Sequence, residues 1–264
     1  MSPTTAGFTI PEMVDLPSGL RLQTHMLVPL SSAHEPALPK MLAVCSHPWS
    51  RLGGCMSDPV LHSVAHPLKD LGYHVLLFNS RGVQGSSGWA SFTGFQEAED
   101  LKELVEYILE KLGSVQDLVF VGYSNGCLIS SLQPPMDPPV RTSHVLLSYP
   151  LGPRSFLTLF NGRTYQQRLE DLVRHPRSRV LLIYGDADEF TAADSYETWA
   201  TGLRTIAENE RTGGDELPEN RSEQDIPEST PLCVVEFIPG ASHFWRGGAV
   251  KPMVLAIRDF LRVH

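Results

Sequence analysis

The sequence lacks the features that would mark a membrane-spanning or secreted protein. Its 264 residues include no run of 18 or more apolar residues, so we expect no membrane span. The first residues, MSPTTAGFTIPEM, contain neither a basic nor an apolar segment, so no secretory signal is expected. With 42% hydrophobic and 19% charged residues, the composition is ordinary for a globular chain. Such a length forms two small domains or one large α/β domain.

Cysteine is scarce, and its spacing does not fit the common metal motifs. The four cysteines are Cys45, Cys55, Cys127 and Cys233, and none follows another at the short intervals of a zinc site. Three lie in or beside apolar runs, which favours buried free thiols over disulfides. Free thiols suit a reducing compartment, so we expect a cytoplasmic protein. Because the cysteines lack metal-ligand spacing, we expect no metal, and we expect no cofactor.

Positive charge is also in short supply. The chain has 21 Lys and Arg against 30 Asp and Glu, a net charge of −9, which argues against a nucleic-acid partner. Residues 207–231 hold eight acids and two arginines, so six of the nine charges lie there. This polar composition predicts an acidic, mobile surface loop. The alternatives are an acidic flap over a site or a docking segment for a basic partner.

Short apolar runs alternate with amphipathic patterns along the chain. The predicted strands are 19–28, 40–45, 74–78, 118–121, 144–148, 179–184 and 232–238. The predicted helices are 59–71, 95–112, 164–174, 192–206 and 249–263. Strands such as VLLF are apolar throughout, as a parallel sheet covered on both faces requires. The pattern predicts a doubly wound α/β fold with a mostly parallel sheet, formed by one domain over residues 1–264.

Polar residues follow several predicted strands, and in an α/β sheet the ligand site lies beyond the carboxyl ends of the strands. Ser124 follows one strand within GYSNG, Asp186 and Asp188 follow a later one within YGDAD, and His243 follows the last. In G-x-S-x-G the chain turns so sharply from strand to helix that glycine is needed beside the serine, whose hydroxyl projects into a cleft. A serine, an acid and a histidine therefore meet at one edge of the predicted sheet.

These motifs together resemble the α/β-hydrolase superfamily over essentially the whole chain. They are HPWSRLGG (47–54), FNSRGVQGSSG (78–88), GYSNG (122–126), YGDADEF (184–190) and GASHFW (240–245). The first two are similar to those of a branch of small serine hydrolases with little or no cap domain. The resemblance implies the α/β-hydrolase fold, at most a small lid within 151–178, and a Ser-Asp-His triad. It does not indicate the substrate, because one fold hosts many chemistries.

The resemblance implies roles for individual residues. Ser124 is the candidate nucleophile, and it needs a base to take its proton. After the acid the sequence offers only His243 and the last residue, His264, so His243 is the candidate base. Asp188 has the spacing of the superfamily's G-x-x-D turn and is the candidate acid. Asp186 remains the alternative.

Other residues beside these motifs are expected to have structural roles. The superfamily often carries a histidine at the position of His47 that organises its loop without reacting. Asp186, if it is not the acid, would hold its turn by local hydrogen bonds. Glu189 is expected to face solvent, Arg81 to be structural, and Cys127 to pack in the core.

A tetrahedral oxyanion needs two N–H donors in place before reaction. One is expected from Asn125, the residue after the nucleophile. The other should come from the 47–54 loop, where Pro48 has no N–H to give and Trp49 is left. Aromatic residues beside the motifs are the candidate substrate contacts: Trp49, Tyr123, Phe190, Phe244 and Trp245.

The expected function is that of a serine hydrolase acting on a small-molecule acyl substrate. It would cleave a carboxylic ester or thioester through an acyl-enzyme. The alternative is a hydrolase fold used for non-hydrolytic chemistry, such as a lyase, acyl transferase or cyclase, or for ligand binding. The presence of both Ser124 and His243 favours catalysis but leaves the acceptor of the acyl group open.

Overall fold

The computed structural model describes residues 12–30, 40–212 and 232–262. These residues form an eight-stranded sheet with the order β1-β2-β4-β3-β5-β6-β7-β8. The strands are β1 (Met13–Asp15), β2 (Arg21–Leu27), β3 (Lys40–Ser46), β4 (Tyr73–Phe78), β5 (Val115–Tyr123), β6 (Arg141–Leu147), β7 (Arg179–Ala187) and β8 (Leu232–Ser242). The β1–β2 and β2–β4 pairs are antiparallel and every other pair is parallel. The prediction of a mostly parallel sheet is confirmed.

Helices cover both faces of this sheet. They are α1 (Pro59–Asp70), α2 (Phe95–Leu112), α3 (Asn125–Ser130), α4 (Arg154–Leu157), α5 (Gly162–Arg174), α6 (Ala193–Thr212) and α7 (Val250–Arg262). Val119 and Val121 of β5 pack in one core with α1 and α7, while Leu118 and Phe120 pack with α2 in another. Successive side chains of a strand point to opposite faces, which explains why residues 118–121 of β5 are apolar without interruption. No helix among the described residues has the length and apolarity needed to cross a membrane.

The structure corrects the boundary between α6 and the acidic segment and adds one strand. Helix α6 continues to Thr212, so the prediction of a loop from residue 207 is wrong for residues 207–212; the acidic residues there lie on helical backbone. The rest of that predicted loop, 213–231, lies outside the described residues, as does His264. Strand β1 was not predicted, because three residues give too little alternation to recognise.

The segment between β6 and β7 contains α4 and α5, where the sequence predicts a possible small lid. Leu169, Leu172 and Val173 of α5 are buried in the core shared with α6. The hydroxyl of Tyr165 donates a hydrogen bond to the carbonyl of Thr93 at 2.7 Å. Helix α5 is therefore part of the body of the fold, and only α4 and the turn after it project.

All four cysteines are free thiols, as predicted. Cys127 is fully buried, and its thiol donates to the carbonyls of Gly122 and Leu147 at 3.2 and 3.1 Å. Burial raises its pKa well above the ordinary value. Cys127 is therefore a packing residue, as expected, although it lies near Ser124.

Candidate active site

Three strands deliver the candidate residues to one edge of the sheet. Ser124 directly follows β5, Asp188 directly follows β7, and His243 directly follows β8. Strands β5, β6, β7 and β8 are consecutive parallel neighbours, so their carboxyl ends lie side by side. The three side chains that the sequence singles out are brought together there.

Ser124 lies on a strained turn between β5 and α3. Its backbone has φ 53 and ψ −119, a conformation that L-residues avoid unless the surrounding structure holds it. A Cβ on Gly126 would come 2.1 Å from the carbonyl oxygen of Ser46, and one on Gly122 would come 2.6 Å from the Cα of Cys127. Only glycine fits at either position, because the chain folds back against its own backbone. This is the nucleophile-elbow geometry that the sequence predicts.

His243 makes hydrogen-bond contacts with Asp188 and Ser124 through its two ring nitrogens. Its Nδ1 lies 2.8 Å from Oδ2 of Asp188, and its Nε2 lies 2.8 Å from Oγ of Ser124. A carboxylate can only accept a hydrogen bond, so Nδ1 carries the proton and donates it to Asp188. In the neutral ring Nε2 then holds a lone pair, which accepts the hydrogen bond of the Ser124 hydroxyl.

Asp188 is held as an ionised carboxylate. Burial would raise its pKa, but hydrogen bonds to the carboxylate and the charge of a protonated His243 outweigh burial, and the pKa lies below its ordinary value. The backbone N–H groups of Phe190 and Thr191 donate to Oδ1 at 2.8 and 3.0 Å. Oδ2, which faces His243, also lies 3.2 Å from the hydroxyl of Tyr196. The carboxylate therefore has a fixed orientation and keeps its charge at neutral pH.

The two acids next to Asp188 hold the backbone of the loop that carries His243. Asp186 Oδ1 accepts a hydrogen bond from the N–H of Gly240 at 2.6 Å, so Asp186 stabilises the loop and lies apart from the histidine ring. Glu189 Oε2 accepts one from the N–H of His243 at 2.9 Å. Glu189 is exposed to solvent, as expected, and this hydrogen bond is a further role that the sequence did not predict. Two carboxylates fix the loop and a third contacts the ring.

His47 is buried and organises the loop after β3. The N–H of Ser80 donates to its Nε2 at 3.0 Å, so that nitrogen is unprotonated, and Nδ1–H donates to the carbonyl of Pro48 at 2.7 Å. Burial lowers its pKa, which keeps the ring neutral. The ring therefore ties the loop after β3 to the loop after β4 and stays away from Ser124, as expected.

Arg81 has the structural role that the sequence predicts. Its Nε and one terminal nitrogen each lie 2.6 Å from the carboxylate of Asp100, and its other terminal nitrogen donates to Gln96 at 2.9 Å. The pair fastens the loop after β4 to helix α2.

Trp49 and Asn125 line one narrow cavity of about 30 Å³. Asn125 is the first residue of α3, and Trp49 caps the short 3-10 turn Ser50–Leu52. The first N–H groups of a helical turn have no acceptor inside it, so both amides are suited to a ligand oxygen.

The five aromatic candidates divide into two groups. Phe190 and Phe244 are 42% and 41% exposed, and their rings meet the ring of His243 edge-on at 4.6 and 5.6 Å. Trp49 is partly buried and lines the cavity with Asn125. These three side chains remain the candidates for substrate contact.

Tyr123 and Trp245 depart from the expectation that they contact a substrate, because each side chain is only 2% exposed. The Tyr123 hydroxyl donates to the carbonyl of His243 at 3.0 Å, and the Trp245 indole N–H donates to Ser148 Oγ at 3.1 Å. They brace the histidine loop from below and cannot touch a substrate in this arrangement. A sequence places an aromatic residue beside a motif but does not show which way its ring points.

Sequence reasoning missed the residues that support the acid. Tyr196 lies on α6, and its hydroxyl is 2.8 Å from the carbonyl of Tyr149 as well as near Asp188. Its place at i+8 from Asp188, on an amphipathic helix, gives no recognisable pattern. Within the described ranges, no group of three or more His, Cys, Asp or Glu side chains is placed to hold a metal ion.

The fold and part of the sequence match known proteins. Residues 52–138 match the family model of the α/β hydrolase fold. An α/β serine hydrolase homologue from Coxiella burnetii has 22% identity and a TM-score of 0.62, over 94% of this chain and 95% of that one. The chain has the α/β-hydrolase fold. The resemblance to that superfamily is confirmed at the level of the fold.

Two further solved structures share the α/β-hydrolase fold. A serine hydrolase without a lid from Xanthomonas campestris has 22% identity and a TM-score of 0.62, over 96% of this chain and 94% of that one. Est1E from Butyrivibrio proteoclasticus, solved with ferulic acid bound, has 18% identity and a TM-score of 0.66, over 94% of this chain and 98% of that one.

One curated relative matches part of the sequence. A stretch of 108 residues is 33% identical to a tear acid lipase-like protein of Mesocricetus auratus. It covers 35% of this chain and 26% of the relative, so the match spans about a quarter of the relative's length.

Proposed function

We propose that the protein is a serine hydrolase that cleaves a carboxylic ester or thioester of a small molecule through an acyl-enzyme. The observation that carries the proposal is the continuous hydrogen-bond chain from Asp188 through His243 to Ser124, with both links at 2.8 Å. A serine hydroxyl is a weak nucleophile until a neighbouring base takes its proton, and this chain provides that base in the required tautomer.

In the first half of the reaction Ser124 Oγ attacks the substrate carbonyl carbon while Nε2 of His243 takes the hydroxyl proton. The carbonyl electron pair moves onto its oxygen, which accepts hydrogen bonds from the N–H groups of Trp49 and Asn125. When this intermediate collapses, the bond to the alcohol or thiol breaks, and the leaving group takes the proton from Nε2. The acyl group is then bonded to Ser124.

In the second half water replaces the leaving group. Nε2 of His243 takes a proton from water as its oxygen attacks the acyl carbon, and it returns that proton to Ser124 Oγ when the acid is released. Asp188 keeps its negative charge throughout and stabilises the imidazolium that forms twice in the cycle. Its lowered pKa favours this role.

The surroundings of the serine favour substrates with an apolar part. Phe190 and Phe244 are exposed beside His243, whereas the cavity that Trp49 and Asn125 line has room for only a small group. We infer that one side of the ester is compact and that the other lies along aromatic rings. Est1E, which shares the fold, binds ferulic acid, itself an aromatic acid.

Turnover of p-nitrophenyl esters and matched thioesters of increasing acyl length tests this function. We expect release of the free acid by the parent and none by the Ser124→Ala control, and we expect only one side of the ester to tolerate a bulky group. Transfer of the acyl group to an added alcohol or amine in preference to water would instead favour an acyl transferase. No turnover of any member together with no labelling of Ser124 by a fluorophosphonate would contradict the proposal.

A further inference from the structure

Most of the exposed large apolar side chains lie at one edge of the protein. Among the described residues eleven such side chains are exposed, and eight of them lie in segments that follow the carboxyl ends of the parallel strands β3, β4, β6, β7 and β8. Two of the eight, Phe190 and Phe244, belong to the candidate site. We call the other six the apolar rim: Leu52, Trp89, Phe92, Phe156, Leu159 and Phe160. An exposed apolar group of this kind marks an interaction surface.

The apolar rim adjoins the mouth of the candidate site. The ring of Phe156 meets that of Trp49 edge-on at 5.7 Å, and Trp49 lines the cavity beside Asn125. A few residues earlier in the same segment, Gly152 lies against the carbonyl of Phe190. The segment that carries half of the rim therefore runs from one side of Ser124 to the other.

The backbone holds Leu159 and Phe160 in exposed positions. Both residues have positive φ, 47 and 65, which bulky side chains rarely adopt. The turn is tied by the N–H of Phe160, which donates to Ser155 O at 2.6 Å, and by the amide of Asn161, which donates to Thr158 O at 2.9 Å. The side chains are 53% and 82% exposed. A strained backbone here presents two apolar groups to the surroundings.

Arginine side chains lie among the exposed aromatic rings. The guanidinium carbon of Arg51 is 4.7 Å from the ring centre of Phe92, and that of Arg246 is 5.2 Å from the ring centre of Phe244. Both arginines are exposed. Exposed arginines therefore lie beside these rings, although the chain carries −9 overall and the exposed acids Asp186 and Glu189 lie at the end of β7 on the same edge. Apolar side chains flanked by arginines match an apolar layer bordered by anionic groups.

We propose that the apolar rim docks the protein on a lipid surface that carries anionic headgroups, with the mouth of the Ser124 site facing the lipid. A folded partner or a second copy of the chain on the rim would cover the mouth and exclude substrate. A lipid surface would instead bring apolar esters to it. The choice of a lipid surface as the occupant rests on the proposed function at Ser124. The exposure of the apolar rim and the position of the arginines do not depend on that function.

Co-sedimentation with lipid vesicles tests the proposal. The parent for all binding measurements carries Ser124→Ala, so that binding is read without hydrolysis of lipid. We expect this protein to partition onto vesicles of phosphatidylcholine mixed with phosphatidylserine, and more weakly onto phosphatidylcholine alone. Adding Leu159→Ser and Phe160→Ser should lower the partition coefficient at least about tenfold, because binding scales with the apolar area inserted. If the protein binds neither vesicle composition, the proposal is overturned.

A matched pair of exposed apolar residues away from the rim serves as the control. Leu30 and Phe237 are 95% and 47% exposed and lie at the end of the β2 segment and within β8. Replacing both with serine should leave vesicle binding within about twofold, as expected for apolar area outside the docking face. A loss equal to that of the rim variant would show unspecific adhesion and overturn the proposal.

Two further measurements separate the other occupants. Turnover of a water-soluble short ester by Leu159→Ser/Phe160→Ser in the otherwise native chain should stay near the parent rate. A large fall there with unchanged vesicle binding would show that these side chains line the substrate site. Sedimentation velocity without lipid should give the same mass for parent and variant. A parent dimer that the variant converts to monomer, without vesicle binding, would identify a protein interface. Either result overturns lipid docking and leaves the proposed hydrolase reaction to its own test.

Discussion

The carboxylate of Glu189 holds the backbone of His243. Its Oε2 accepts the His243 N–H at 2.9 Å, while Asp188 Oδ2 accepts Nδ1–H of the same residue at 2.8 Å. The two acids are separated by one peptide bond on the loop after β7. One residue of that loop therefore places the histidine backbone, and its neighbour orients the ring.

We expect Glu189→Ala to lower kcat about 10- to 100-fold, because misplacement of a base by a fraction of an ångström is costly to the reaction. Glu189→Gln should stay within a few-fold of the parent, since its amide oxygen can accept the same hydrogen bond. Glu197→Ala, at an exposed glutamate on α6, is the matched control. Steady-state kinetics on one ester measure all three. Equal rates for the alanine variant and the parent would show that Glu189 has no positioning role.

Asp188→Asn should be far more harmful than Asp186→Asn. An amide opposite Nδ1 favours the wrong tautomer of His243, and loss of the acid from such a triad lowers kcat by about four orders of magnitude. At Asp186 an asparagine oxygen can still accept the N–H of Gly240, so we expect a change of a few-fold. The comparison of kcat for the two variants is decisive: the opposite ranking would assign the acid to Asp186.

His144 predicts a specific dependence of stability on pH. It is fully buried, stacks on Phe120 with 5.2 Å between ring centres, and its Nε2–H donates to Gln133 O at 2.9 Å. Burial lowers its pKa from 6.5 to about 4. Between these values the unfolded chain binds more protons than the folded one, so stability falls as the pH drops from 6.5 to 4 and levels off below.

The variant His144→Gln keeps a donor for Gln133 O but does not titrate. The unfolding free energy of the parent minus that of the variant should therefore fall by roughly 3 kcal/mol from pH 7 to pH 4. Urea denaturation at several pH values measures it. The difference isolates His144 from other buried histidines such as His47. A difference that is constant over this range would show that His144 does not titrate as described.

The sheet and the three central residues could be predicted from the sequence because each has a local pattern. Residues 118–121 of strand β5 are apolar without interruption, and GYSNG has glycines where a Cβ on Gly126 would clash with Ser46 O. The chain order of Ser124, the acid and His243 then follows from where the strands end. Periodicity and steric fit are properties that a short stretch of sequence carries by itself.

The partners of these residues could not be predicted, because they depend on how distant segments pack. Glu189 is exposed, as expected, but its hydrogen bond to the N–H of His243 across the β7–β8 pair was not predicted. Tyr123 and Trp245 are next to the motifs in sequence, but their rings turn into the core. The direction of a side chain relative to a turn is set by tertiary contacts. The compartment and the substrate stay predictions.

Identification of the covalently modified residue tests the central claim most directly. The protein is incubated with a fluorophosphonate, digested and analysed by mass spectrometry, with Ser124→Ala and His243→Ala as controls. We expect one phosphonylated residue, Ser124, and no labelling of Ser124→Ala. Labelling of His243→Ala should be slowed by several orders of magnitude because the base that activates the nucleophile is gone. Melting temperatures near the parent value would show that both variants fold. Unmodified Ser124 in the folded parent, or labelling of His243→Ala at the parent rate, would contradict it.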